Sequence, residues 1–441
     1  MPATDIHRAI DAVWRIESPR LIGGLTRIVR DIGLAEDLAQ DALIAALEQW
    51  PESGVPENPG AWLMVTAKHR AIDHFRRNTR LERKHQEIAR DLEAREMAVP
   101  DFNAPLDDEV GDDLLRLMFI SCHPVLSTEA RVALTLRLLG RLTTGEIARA
   151  FLLPEPTIAQ RIVRAKRTLA TNRVPFEVPR GPDLAARLSS VLEVIYLVFN
   201  EGYSATAGDD WLRPALCEEA LRLGRVLAEL ASREPEVHGL VALMEIQASR
   251  ARARVGPSGE PILLMAQNRA QWDQLLIHRG IIALDRAKKV RAGNACAEKL
   301  DAESSNSNSP GSYALQAAIA ACHALARTAE ETDWPRIVKL YDALIDVAPS
   351  PVVELNRAVA VAMAFGPAAG LSLVEALAAE RSLENYHLLP SVRGELLNKL
   401  NRLEEARAEF ERAASLTQNT RERELLLNRA RACAPARAPG N

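Results

Sequence analysis

The sequence predicts an all-α fold, and three observations carry that prediction. Alanine (70 residues) and leucine (59) dominate the 441-residue chain, and both rank high in helix propensity. Aromatic residues, which favour strands, make up only 4%. Apolar residues recur at helical spacing almost throughout, broken by stretches rich in turn formers near residues 51–60, 97–105, 174–182 and 302–312. This punctuation predicts a first domain over 1–80, a linker over 81–111, a second domain over 112–174, a helical middle part over 183–300, a flexible linker over 301–312 and a helical C-terminal part over 313–433. The core of the last linker, Glu303 to Ser312, has no apolar residue to offset the entropy of ordering.

Composition also narrows the function classes. Asp5, Arg8, Asp11 and Arg15 interrupt any apolar run at the N-terminus, so no secretory leader is expected. The longest uncharged apolar stretch, Ala358 to Val374, is 17 residues long with Gly366-Pro367 in its middle. It reads as two helices joined by a turn rather than as a membrane span, and a cytoplasmic protein without a membrane partner is expected. Five widely spaced cysteines, Cys122, Cys217, Cys296, Cys322 and Cys433, form no CxxC and are expected as free thiols. Cys122-His123 and Cys322-His323 are adjacent pairs whose side chains would point about 100° apart on a helix. Neither predicts a metal site, and no cofactor is expected. No P-loop, GxSxG or GxGxxG motif is present, so an enzyme is not expected.

Charge is informative locally. The chain as a whole carries −4, whereas Lys68 to Lys84 holds seven basic residues against Asp73 and Glu82. With Trp62 just upstream, this block suits a surface that tracks single or melting strands through charge and stacking.

Further along, Thr143 to Phe151, a short Leu-Leu-Pro turn and Glu155 to Leu169 have the pattern of a helix-turn-helix. Thr143 and Glu146 can form a capping box, Ala148 permits a close crossing, and Pro156 suits the first helical position. On the second helix Ile158, Ile162, Ala165 and Leu169 make one apolar stripe, which leaves Thr157, Gln160, Arg161, Arg164 and Thr168 on the opposite face. Five basic residues between Glu155 and Arg173 call for phosphate as counter-charge. Arginine and glutamine can read base edges, whereas Lys166 and Arg167 are expected on backbone phosphates.

Beyond it, Phe199 to Ser204 and Asp209-Asp210-Trp211 cluster acids and aromatics in a loop, which reads either as a ligand or partner site or, as cheaply, as a helix C-cap at Gly202 followed by an N-cap at Asp209 or Asp210. In the C-terminal part Arg357, Arg393 and Arg429 recur every 36 residues, each expected to open a similar helical stretch. Gly394, Leu397, Ala406, Phe410 and Ala413 fall on the apolar slots of a tetratricopeptide (TPR) unit, and Ala358, Val361, Gly370, Val374 and Leu377 on the same slots one repeat earlier.

The order of motifs is the strongest signal. Ala35-Glu-Asp-Leu-Ala-Gln-Asp-Ala-Leu-Ile-Ala-Ala-Leu47, Asn58-Pro-Gly-Ala-Trp-Leu63, Arg70-Ala-Ile-Asp-His-Phe-Arg-Arg77 and a terminal helix-turn-helix resemble a bacterial extracytoplasmic-function (ECF) RNA polymerase sigma factor over residues 10–173. Leu192 to Gly202, Trp211 to Gly224 and Pro351 to Ala362 look like the extension of a subgroup with a long, TPR-containing C-terminus.

The resemblance implies that Asp37, Gln40 and Asp41 dock on the clamp helices of the polymerase β′ subunit. It implies that the loop 51–60 captures a flipped base of the minus-ten element, and that Trp62, Lys68, Arg70, Arg76 and Arg77 guide the melted strand. The helix-turn-helix, through Thr157, Gln160, Arg161, Arg164, Lys166 and Arg167, would read the minus-thirty-five element. The implied partners are core RNA polymerase and promoter DNA, with a protein or peptide partner on the TPR-like part, and the extension would regulate in cis. The alternative is a TPR-type helix-turn-helix regulator that binds duplex DNA without joining the polymerase.

Overall fold

A computed structural model of the chain describes residues 3–88, 110–140, 142–180, 182–298 and 310–433. Among the described residues stand eighteen α-helices and a single two-stranded ribbon, so the fold is all-α. Contacts divide the chain into two units, Met1–Val194 and Ile195–Asn441.

The first unit begins with α1 (Ala3–Val29), α2 (Ile32–Ser53) and α3 (Pro59–Ile88). Asp31 caps α2 by accepting from the Leu34 amide. The inner face of α2 is made of Ala35, Ala39, Ala42, Ala45 and Ala46, all buried, and these small side chains let α1 and α3 approach closely. Two expectations are corrected here. Pro51 lies inside the last turn of α2, which Gly54 ends at φ 82°, so the loop before the Trp62 helix is shorter than residues 51–60. At its far end α3 continues to Ile88, into the segment expected as a linker, because Arg, Leu, Glu, Lys and Gln in that stretch are strong helix formers. The rest of that linker up to residue 109 lies outside the described residues.

Four helices follow in the same unit: α4 (Val110–Ser121), α5 (Thr128–Leu138), α6 (Thr144–Ala150) and α7 (Glu155–Thr171). The Thr143–Glu146 capping box is present, and Ile147 and Ala148 are buried where α6 meets α7. Pro154 caps α7, so Pro156 occupies its second helical position and not the first. The turn between α6 and α7 places Leu152 at φ 52°, a left-handed conformation that glycine or asparagine adopts more cheaply. The start of α8 (Pro182–Tyr203) packs on this bundle through Arg131, which donates to Glu193 at 2.9 Å and also to Ser190.

The second unit takes the end of α8 and α9 (Pro214–Leu230), α10 (Pro235–Ala248) and α11 (Gln274–Glu298). It continues with α12 (Ser312–Leu325), α13 (Trp334–Val347), α14 (Pro351–Phe365), α15 (Pro367–Leu377), α16 (Leu388–Lys399), α17 (Leu403–Leu416) and α18 (Thr420–Ala432). From α9 onward each helix packs on its neighbours in chain order. The Ala358–Val374 stretch is the helix–turn–helix α14–α15, and a Cβ at Gly370 would lie 2.7 Å from the Ala358 carbonyl oxygen, so only glycine fits this crossing.

Three further expectations change. Gly202 lies within α8 and caps nothing; its missing Cβ admits the Cys217 backbone at the start of α9. Asp209 and Asp210 are not helix caps either, because α9 starts after Arg213 and the strand Ala207–Gly208 pairs instead with Gln418–Asn419. Arg357, Arg393 and Arg429 sit inside α14, α16 and α18 rather than opening them, and each reaches a carboxylate on another helix, Asp342, Glu409 and Glu395 respectively. The helix α12 is tied to α10 by Glu236, which accepts from the Tyr313 amide at 2.8 Å, so the middle and C-terminal helices share one packed unit. Residues 301–309 of the second expected linker lie outside the described residues.

Candidate nucleic-acid interface

The helix α7 separates its two faces cleanly. Ile158, Ile162, Ala165 and Leu169 are 5% exposed or less and pack inward. Thr157, Gln160, Arg164 and Arg167 are exposed and Arg161 half-buried. Thr157, Gln160, Arg161 and Arg164 line a groove of about 370 Å³ whose opposite wall is Val125, Leu126 and Ala130. Two guanidiniums and a carboxamide on one open helix face supply the donors that base edges and phosphates accept from.

Lys166 departs from that face. It points inward, half-buried, and its ammonium pairs with Glu36 of α2. Arg137 of α5 donates to the same carboxylate at 2.8 Å, and Gln40 donates to it at 3.0 Å. Burial pushes the Glu36 carboxyl up, but Lys166 and Arg137 outweigh it and hold the group below its ordinary value. In this arrangement Lys166 is not available to a phosphate, which corrects its expected placement beside Arg167. The cause is tertiary: Glu36 lies 130 positions earlier in the chain, and nothing on α7 itself announces it.

On α2 the outer face carries Asp37 and Asp41, both exposed, with half-buried Gln40 one turn from Asp37 and next to Asp41. Exposed Ile44 and Leu47 extend this face, an apolar continuation that sequence reasoning missed although their i+3 and i+6 spacing from Asp41 shows it. On α3 Trp62 is half-buried and packs edge-to-face on buried Trp50 with ring centroids 5.3 Å apart. Arg70 and Arg76 are exposed, whereas Lys68 is half-buried, and burial followed by the nearby Arg27 lowers its pKa. The side chain of Arg77 lies outside the described residues. The acidic face of α2, the basic face of α3 and the groove of α7 thus belong to one unit.

Comparison with known proteins assigns these helices. The pattern of Sigma-70 region 2 matches residues 14–81, that of Sigma-70 region 4 matches residues 116–169, and a family of unknown function, DUF6596, matches residues 187–288. The probable ECF RNA polymerase sigma factor SigI of Mycobacterium tuberculosis is 29% identical over 174 residues, 39% of this chain and 58% of that protein. The ECF RNA polymerase sigma factor SigC of the same organism is 28% identical over 154 residues, 34% of this chain and 75% of that protein.

The chain belongs to the ECF-type RNA polymerase sigma factors.

This sigma factor carries an extra C-terminal region, the part that includes the DUF6596 match. An uncharacterized protein of Rhizobium meliloti (strain 1021) is 43% identical over 415 residues, 94% of this chain and 93% of that protein, so the similarity includes the extension. No solved structure matches the chain. Its family is one of non-catalytic transcription initiation factors, whose partners are core polymerase and promoter DNA. Among the described residues no helix is long and apolar enough to cross a membrane, and no cluster of three metal-ligating side chains occurs.

Proposed function

We propose that this sigma factor binds core polymerase through α2 and reads its promoter through α3 and α7. The observation that carries the reading is the outer face of α7, where Gln160, Arg161 and Arg164 share an open groove while the apolar stripe is fully committed to the core. Arg161 and Arg164 read bases of the minus-thirty-five element and Arg167 holds a phosphate. Asp37, Gln40 and Asp41 form the polar part of the surface that docks on the β′ clamp helices. Trp62, Lys68, Arg70, Arg76 and Arg77 guide the melted minus-ten strand. Lys166 joins the phosphate contacts only after leaving Glu36. The C-terminal extension regulates in cis, and its groove lined by Asp342, Asp346, Glu354 and Arg357 is acidic enough to suit a basic peptide partner.

Run-off transcription with purified core polymerase tests the reading. The full chain is expected to give promoter-dependent initiation, and replacing Asp37, Gln40 and Asp41 by alanine to abolish it with the fold intact. Arg161→Ala and Arg164→Ala should each weaken binding to a cognate minus-thirty-five duplex by about 1–3 kcal/mol and relax preference at one base position. Duplex binding without core-dependent initiation would favour the regulator that does not join the polymerase. A chain ending at Val194, assayed beside the full chain, reads out the extension: equal activity in every condition removes its regulatory role.

A further inference from the structure

The middle helices of the extension carry a groove that the promoter and polymerase contacts do not use. Both α9 and α11 pack on α10, and between them lies a hollow of about 780 Å³. Its floor is α10, where Val241 and Glu245 are buried, and buried Ala283 of α11 continues it. Ile282 and Val290 of α11 and Ala228 of α9 line its sides, and Ile282 remains 42% exposed. Water therefore covers an apolar side chain in a concave site, which is where a partner gains most from displacing it.

Charge in this groove is lopsided. Arg225, Arg279, Arg286 and Lys289 line it against two carboxylates, Glu229 and Glu245. One carboxylate is already engaged, because Glu245 accepts from Arg225 at 2.7 Å. Arg279, Arg286 and Lys289, all exposed on α11, have no ion-pair partner among the described residues. Two neighbouring cations of the same helix do have one: Lys288 pairs with Asp285 at 3.4 Å and Arg291 with Glu236 at 3.8 Å. The α11 wall is thus cationic and unneutralised, while Glu229 stands on the α9 wall.

Spacing identifies the occupant. Arg279 and Arg286 are two helical turns apart, about 10 Å along α11, and Lys289 lies about 15 Å from Arg279. A single phosphate or carboxylate cannot meet charges spread over that length. A nucleic-acid backbone could match the charges, but it would bring phosphates over Ile282, which lies between the two arginines. An amphipathic helix with acidic side chains two turns apart along one edge matches both features, since its apolar stripe covers Ile282 and Val290.

We propose that the groove between α9 and α11 docks an acidic amphipathic helix of a partner protein. The acidic edge of that helix runs along Arg279, Arg286 and Lys289, and its apolar stripe faces Val241 and Ile282. Glu229 on the opposite wall repels a second acidic edge and so fixes which way round the helix lies. The site is independent of the promoter and polymerase contacts proposed above.

The test uses the full chain and a fluorescein-labelled amphipathic peptide with a leucine stripe and glutamates two turns apart along one edge. A twin peptide carries lysines in place of those glutamates. Binding is followed by fluorescence anisotropy for wild type, the double variant Arg279→Glu/Arg286→Glu and Ile282→Ser. All three positions are exposed, so the variants should keep the fold, which helical circular dichroism checks. The double variant should weaken the acidic peptide by about tenfold, through two lost and two repelled exposed pairs, and bind the lysine twin more tightly than wild type does. Ile282→Ser should weaken the acidic peptide by about tenfold as well, because the exposed part of that side chain is no longer covered. No saturable binding below about 1 mM overturns the proposal. So does a double variant that binds both peptides as wild type does, or an Ile282→Ser that leaves the affinity unchanged, since attraction would then lie elsewhere or be charge alone. A short DNA duplex that displaces the peptide from wild type but not from the double variant reassigns the cationic wall to nucleic acid and overturns helix docking. Neither polymerase nor promoter enters the assay, so its failure leaves the proposed function untouched.

Discussion

The two units hold their helices together by different means. In the first, the seam between region two and region four is crossed by charges: Glu36 with Arg137 and Lys166, and Asp113 with Arg27. In the second, the seams of α14 to α18 are small and apolar, with Ala358, Ala362, Gly370, Ala406 and Ala413 letting helices approach and Leu397 and Phe410 filling the space between them. Two of the ion pairs among these helices, Arg357 with Asp342 and Arg393 with Glu409, leave the guanidinium about a third exposed, at 31% and 29%. The difference teaches which joints can exchange partners. A parted ion pair regains water or finds a phosphate, so much of its energy is recovered. A parted apolar seam exposes area and recovers nothing.

The largest expected effect breaks the apolar seam. Phe410 is 1% exposed between α16 and α17, so Phe410→Ala should lower the unfolding free energy of the second unit by about 3–5 kcal/mol. Urea denaturation of the full chain, followed by helical circular dichroism, should show an early transition for this unit alone. Simultaneous loss of both units would show that the seams are not independent.

A second experiment puts a charge into the apolar unit. His323 on α12 is 8% exposed, packs edge-to-face on Trp334 at 5.1 Å, and is held down to about 4 by burial and then by Arg250 and Arg269. With the folded pKa below the unfolded value of 6.5, the neutral ring contributes full stability above pH 6.5, and this is lost as pH falls toward 4. The loss should approach about 3 kcal/mol, reported by Trp334 fluorescence. His323→Gln should flatten the profile between pH 6.5 and 4; a profile unchanged by the substitution assigns the acid sensitivity elsewhere.

The smallest effect sharpens the contrast. Glu36→Gln should cost the first unit only about 1 kcal/mol of folding stability, because Lys166 and Arg137 both reach water once freed. A loss matching that of Phe410→Ala would mean that the charged seam is as permanent as the apolar one.

Much of this was legible in the sequence because it is local. Helix propensity and period predicted the all-α class, and the capping box at Thr143 and Glu146 and the stripe Ile158, Ile162, Ala165 and Leu169 depend on residues within a few turns of each other. Gln160, Arg161 and Arg164 follow as the remainder of that helix. The misreadings are of another kind. Pro51 and Gly202 look like punctuation, yet one sits in a helix end and the other makes room for Cys217.

By itself, then, the sequence determined which segments are helices, which face of each is apolar and which family the motif order belongs to. Only the tertiary structure decided that Lys166 turns inward to Glu36, that α12 is anchored on Glu236 of α10, and that Asn419 reaches back to the carbonyls of Ala205 and Asp210. The physical reason is range. Periodicity and capping act over a turn or two of helix, whereas the partner of a buried charge or a bare amide is chosen by whichever distant helix packing brings within about 3 Å.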